Sequence, residues 1–150
     1  MSDLVRFGVA MDRTLLSEFD GRIAARGYEN RSEALRDLIR ADLTRAAWER
    51  GARVAATLTV VYDDHVRDVV GELTGLEGEH AGLVVASLRV PLAPGRSLEV
   101  MAVRGGAAEL TGLAGQLSGT KGVLSCELTL ATTLSDKPAI PMPAIPPETP

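Results

Sequence analysis

Cysteine occurs once and histidine twice in these 150 residues, which excludes an internal disulfide and a His-Cys cluster of the kind that holds a structural metal. No apolar run approaches the roughly 20 residues needed to span a bilayer. Met1-Ser2-Asp3 lacks the basic start and apolar core of a secretory signal, so a cytoplasmic location is expected. There is no nucleophile beside a base and no phosphate-binding glycine loop; Gly105-Gly106 reads as a turn before a helix, and an enzyme is not expected. A basic surplus is missing too. The net charge is −4, and residues 1 to 50 balance nine arginines against nine acids. A strong non-specific nucleic-acid binder is normally basic, so any DNA affinity must come from where the arginines are placed. The single Cys126 lies among apolar residues and reads as a core thiol rather than a ligand or redox group.

What is present begins with Gly27-Tyr28-Glu29-Asn30-Arg31-Ser32-Glu33-Ala34-Leu35-Arg36-Asp37. Gly27 can take the left-handed conformation that ends one helix, and Asn30 can cap the next with Glu33 as its capping-box partner. The N-terminus of that second helix presents free N–H groups and the positive end of a dipole, with Arg31 and the Ser32 hydroxyl beside them, as a phosphate site does. Upstream, Leu4 to Met11 alternates, with Val5, Phe7, Val9 and Met11 on one face and Arg6, Gly8 and Ala10 on the other, as a short strand would. Asp12 can cap a first helix carrying Leu15, Leu16, Phe19 and Ile23, and the second helix repeats the spacing with Leu35, Leu38, Ile39 and Leu43. About 50 residues of this kind are marginal alone, and a lone strand leaves its edges unpaired. Pairing with a second chain solves both problems and predicts a two-stranded ribbon over four helices that can enter a major groove.

The second helix should stop near Gly51, and beyond it the pattern changes. Val54 to Tyr62 reads as a strand, Asp64 to Leu73 as a helix, Leu83 to Val90 and Leu98 to Arg104 as strands, Ala107 to Leu117 as a helix and Val123 to Thr132 as a strand. The order β-α-β-β-α-β is the ferredoxin-like split unit, whose open sheet face invites association. Pro91 to Gly95 reads as a turn, since prolines lack the donor a central strand requires. Lys137 to Pro147 holds an imperfect Pro-Ala-Ile-Pro repeat and reads as a disordered extension.

At this point a resemblance emerges. The Arg6-Phe7 strand and the Gly27 to Asp37 run are similar to the ribbon-helix-helix domain of the nickel-responsive repressor family NikR, and Val60-Val61-Tyr62-Asp63, Leu98-Glu99-Val100, Val103-Arg104-Gly105 and Lys121-Gly122-Val123 fall where that family has its ACT-type regulatory domain. The resemblance covers roughly residues 4 to 133. It implies an α+β protein: residues 1–50 a ribbon-helix-helix (βαα) DNA-binding domain and obligate dimer, residues 52–133 a ferredoxin-like ACT-type regulatory and oligomerisation domain, residues 134–150 a Pro-rich tail. It also implies a homotetramer acting as a transcriptional regulator, with repression the expected sense, on an inverted-repeat DNA operator. Arg6, Gly8 and Ala10 would face base edges, and Asn30, Arg31 and Ser32 the phosphates. Gly8 reads nothing and Ala10 offers only a methyl, so hydrogen-bonded specificity is reduced.

The family's square-planar nickel site uses three histidines and a thiolate. The resemblance places those four ligands at Gly78, Arg89, Pro91 and Ser97, so the nickel ligands are missing and nickel is not expected. Asp63-Asp64-His65 and Glu77-Gly78-Glu79-His80 are the remaining places where a metal could be sought; they read as a solvated helix start and an exposed polar loop. Arg89, Arg96 and Arg104 raise an anion or small organic effector as an alternative. The function expected is a regulator answering to another effector or to none; the alternative is an oligomeric ligand-binding or interaction module that has lost specific DNA recognition.

Overall fold

The computed structural model describes residues 3–134. The element order is α1 (Arg13–Ala25), α2 (Arg31–Glu49), β1 (Val54–Tyr62), α3 (Val69–Glu79), β2 (Val84–Ala93), β3 (Arg96–Gly105), α4 (Ala107–Gly119) and β4 (Val123–Thr133). The chain divides into two compact units, Met1–Arg40 and Ala41–Pro150.

In the first unit the helix boundaries follow local chemistry. Asp12 caps α1, its Oδ1 accepting from the Leu15 N–H at 2.9 Å. Gly27 at φ +79 closes it, because the Gly27 and Tyr28 N–H groups then reach back to the Ala24 and Ile23 carbonyls at 3.0 and 3.1 Å. Asn30 starts α2, its Oδ1 accepting from the Glu33 N–H at 2.9 Å. The strand expected over residues 4 to 11 is not formed: this segment carries no ladder in the single chain, and Val5, Phe7 and Val9 are 79, 72 and 62% exposed. A strand is defined by its neighbour, and the described residues of this unit include no neighbouring strand.

The compact units part at Arg40 and Ala41, within α2, rather than at Gly51. The reason lies at the end of the helix: Ala47 is fully buried and Trp48 packs on the core of the second unit. Gly51 still ends α2, at φ +77.

The second unit is the split β-α-β-β-α-β arrangement. Its sheet has the order β2-β3-β1-β4, with every neighbouring pair antiparallel. Alternation along β1 buries Val54, Ala56, Leu58, Val60 and Tyr62, which pack with Met101 and Val103 of β3, Val69 and Leu73 of α3, and Leu110, Leu113 and Leu117 of α4. Three boundaries differ from the sequence pattern. Helix α3 begins at Val69, not Asp64, because the Asp63 carboxylate accepts from the His65 N–H at 2.9 Å and holds a turn there. Strand β2 runs through Pro91 to Ala93, which an edge strand tolerates, and Gly95 at φ +72 makes the turn to β3. Gly78 lies in the last turn of α3 rather than in a loop. The proline-rich segment Lys137 to Pro147 lies outside the described residues. No helix among the described residues is long and apolar enough to cross a membrane.

Candidate functional site

Two regions carry the polar side chains singled out by sequence, one in each unit. In the first, Arg6, Gly8 and Ala10 lie along the exposed N-terminal segment. A groove of about 860 Å³ is lined by Arg6, Phe7 and Ala10 of this segment together with Leu16, Phe19, Leu35, Ile39, Arg31 and Ser32. Asn30 is engaged as a helix cap. Arg31 is not a free cation: its Nε and Nη2 donate to the two oxygens of Asp20, each at 2.7 Å. This fork-to-fork pair ties the first turn of α2 to α1. The Arg31 bond holds the Asp20 carboxyl below its usual range, and Asp20 in turn raises the guanidinium. Tyr28 adds a second tie, its hydroxyl donating to Asp37 Oδ2 at 3.1 Å, which raises the phenol pKa. Asp20 was not singled out from the sequence, because its partner is eleven positions away, although it shares the half-buried side of α1 with Leu16, Phe19 and Ile23.

In the second unit, Arg89 and Ser97 are brought onto the helix-covered face of the sheet, each tied to acids. Strand register pairs Arg89 with Glu99 and Pro91 with Ser97. The Arg89 Nε donates to Glu99 Oε1 at 2.9 Å, and its Nη2 donates to Glu77 Oε1 and Thr74 Oγ1, both at 2.8 Å. Ser87 Oγ donates to the other Glu77 oxygen at 2.7 Å. One guanidinium thus joins α3, β2 and β3. Arg89 is therefore engaged by acids rather than offered to an anion with Arg96 and Arg104. Burial lowers the Arg89 pKa, but its bonds to Glu99 and the charges of Glu99 and Glu77 outweigh that and raise it. Burial also pushes Glu77 up, yet the bonds from Ser87 and around Arg89 hold it below the usual carboxylate value. Glu99 is pushed up to about 7, first by burial and then by Glu77, against the pull of Arg89. Glu77 was noted from sequence only within the Glu77 to His80 run and Glu99 not as a site residue, although Glu99 falls at an inward position between Ser97 and Met101, where a charge needs an explanation.

Ser97 Oγ donates to Asp64 Oδ2 at 2.7 Å. Asp63, Asp64 and His65 bring one potential ligand atom each within 4.8 Å of one another. Two of these groups are already spent, Asp63 on its turn and Asp64 on Ser97. His80 is not in a loop but caps α3, with Nε2 2.6 Å from Gln116 Oε1 of α4. Cys126 is half-buried on β4, and burial raises its thiol pKa.

Comparison with known proteins gives these sites a context. The family described as "NikR C terminal nickel binding domain" matches residues 55–131. A protein of Geobacter sulfurreducens is 46% identical over 134 residues, covering 89% of this chain and 96% of its own length, and bears the name "Putative nickel-responsive regulator". Proteins of Solibacter usitatus and Nitratidesulfovibrio vulgaris carry the same name, at 46% identity with 89 and 96% coverage and at 42% identity with 91 and 99% coverage. The match thus spans both compact units, and on it this chain belongs to the NikR family of regulators.

Proposed function

We propose that the chain is a cytoplasmic, homotetrameric DNA-binding transcription regulator of the NikR type whose sheet unit has given up the nickel site. The observation that carries this reading is the state of Arg89, whose guanidinium is committed to Glu77 and Glu99 at one of the positions the family resemblance assigns to a nickel ligand. The other three positions fit the ion no better. Gly78 has no side chain, Pro91 has no donor atom, and the Ser97 hydroxyl is already given to Asp64. A cation at this place would have to displace a cation that is covalently part of the chain. The direct test is a titration of purified protein with Ni(II), followed by the thiolate-to-nickel absorption. No saturating signal is expected; stoichiometric, submicromolar binding would refute the loss of the site.

DNA recognition in this reading rests on Arg6 for base edges and on Asn30, Arg31 and Ser32 for phosphates, with the ribbon completed by a second chain. The exposed apolar row Val5, Phe7 and Val9 supports that pairing. A second reading, an oligomeric ligand-binding or interaction module without specific DNA recognition, is favoured by Gly8 and Ala10, which offer no side-chain hydrogen bond to a base. Binding to an inverted repeat from the gene's own neighbourhood, measured against random DNA, decides between them.

A further inference from the structure

Among the described residues only Ser97 and Glu99 are buried polar side chains, and Glu99 has no exposed surface at all. Strand alternation puts it there: Ser97, Glu99, Met101 and Val103 share the inward face of β3. Its Oε1 accepts from Arg89, but Oε2 has no partner. An ionised oxygen left in that state is costly, because nothing replaces the water it lost. The neighbours make matters worse. Glu77 and Thr74 face the cluster from α3, Arg89 and Ser87 from β2, and Tyr62 from β1. Both oxygens of Glu77 are supplied with donors, and Arg89 is the only cation paired with either acid among the described residues. Two carboxylates facing one guanidinium leave an excess negative charge beside an orphan acceptor. A proton on Glu99 Oε2 would turn that acceptor into a donor.

We propose that the Glu77–Arg89–Glu99 cluster is a proton-binding site in which a proton from solvent settles on Glu99 Oε2, donates towards Glu77 and closes a neutral clasp between α3, β2 and β3. With the proton gone, the two acids compete for one guanidinium and the clasp loosens at the Thr74 to Glu79 end of α3. The position of the Glu99 carboxyl at about 7 puts the change near neutrality. Carboxyls that share a site titrate as a pair, which sharpens the dependence on Glu77. The last step rests on the regulator reading and deepens it: the proton is an effector of the sheet unit.

The test uses the full chain with carbon-labelled glutamate, titrated by NMR from pH 5 to 9. One glutamate carboxyl is expected to titrate near neutrality, to vanish in Glu99→Gln, and to move down by about one pH unit or more in Glu77→Gln, where the like charge is removed. Amide exchange over Thr74 to Glu79, corrected for intrinsic rates, is expected to be slower at pH 6 than at pH 8 in the parent and equal at both in Glu99→Gln. Should Glu99→Gln not fold, the Glu77→Gln shift decides alone. No carboxyl titrating above about pH 6, or an unmoved midpoint in Glu77→Gln, overturns the proton site. Operator affinity is then compared at the two pH values. A change of about tenfold supports the effector role; a flat affinity with a titrating Glu99 overturns that role. Absence of operator binding at every pH instead defeats the regulator reading, while the titration still decides the clasp.

Discussion

Replacing Phe7 by alanine measures how much of the assembly depends on pairing of the N-terminal segments. Phe7 is 72% exposed in the single chain. Full burial of such a side chain contributes up to about 3 kcal/mol, so covering the exposed part against a partner contributes about 2 kcal/mol. A two-fold interface counts every contact twice, which brings the loss on Phe7→Ala to about 4 kcal/mol per dimer, or roughly a thousandfold in the dissociation constant. The assay is sedimentation of the full chain from micromolar to nanomolar concentration, with parent and variant side by side. Tetramers of the parent should fall to dimers held by the sheet units, and the variant should do so at a far higher concentration. A parent that is a monodisperse monomer at micromolar concentration refutes the architecture. A shift below tenfold refutes the role given to Phe7, since the exposed ring would then be covered by nothing in the assembly.

If the N-terminal segments pair as proposed, with Arg6, Gly8 and Ala10 outward, Arg6→Ala should narrow the gap between operator and random DNA by about 1–3 kcal/mol, measured by paired titrations. Asp20→Asn releases the Arg31 guanidinium from its fork; if Arg31 then clamps phosphate, affinity for both DNAs rises and the salt slope steepens by up to about one unit, a gain that adding Arg31→Ala removes. An unchanged slope in Asp20→Asn would mean that Arg31 only orients α2. The raised Glu99 pKa carries a sign for stability: its protonated form is favoured in the folded chain, so its contribution is complete below about pH 4.5, where both states are protonated, and is lost as pH rises towards 7. The depressed Glu77 works in the opposite direction and only at lower pH. Urea unfolding at pH 5 and 8 should therefore show a loss of at most about 3 kcal/mol that Glu99→Gln removes, and a parent stability flat across that range would count against the buried charge.

Much of what has its cause within a few residues was legible in the order of the amino acids, the Asp63 turn that delays α3 to Val69 being an exception. Asp12, Gly27 and Asn30 act through hydrogen bonds to groups at most five positions away, so the helix starts and stop they encode could be placed in advance. The alternation of Val54 to Tyr62 matches the buried face of β1 at both ends, because its period depends only on the pleat. The other departures arise where a distant partner decides. Residues 4 to 11 have the pattern of a strand but not its ladder, which a second chain must supply. Pro91 stays in β2 only because β2 sits at the sheet edge, a fact of strand order rather than of local composition. Arg31 reads in the sequence as a free phosphate clamp but meets Asp20 in the fold, and Arg89, one of three arginines open to an anion in the sequence, has Glu77 and Glu99 brought to its two sides by α3 and β3. By itself the sequence determined two helices with their caps and a split sheet unit. Which charges meet was decided by the tertiary structure, because an ion pair between distant residues exists only after folding has closed the loop between them.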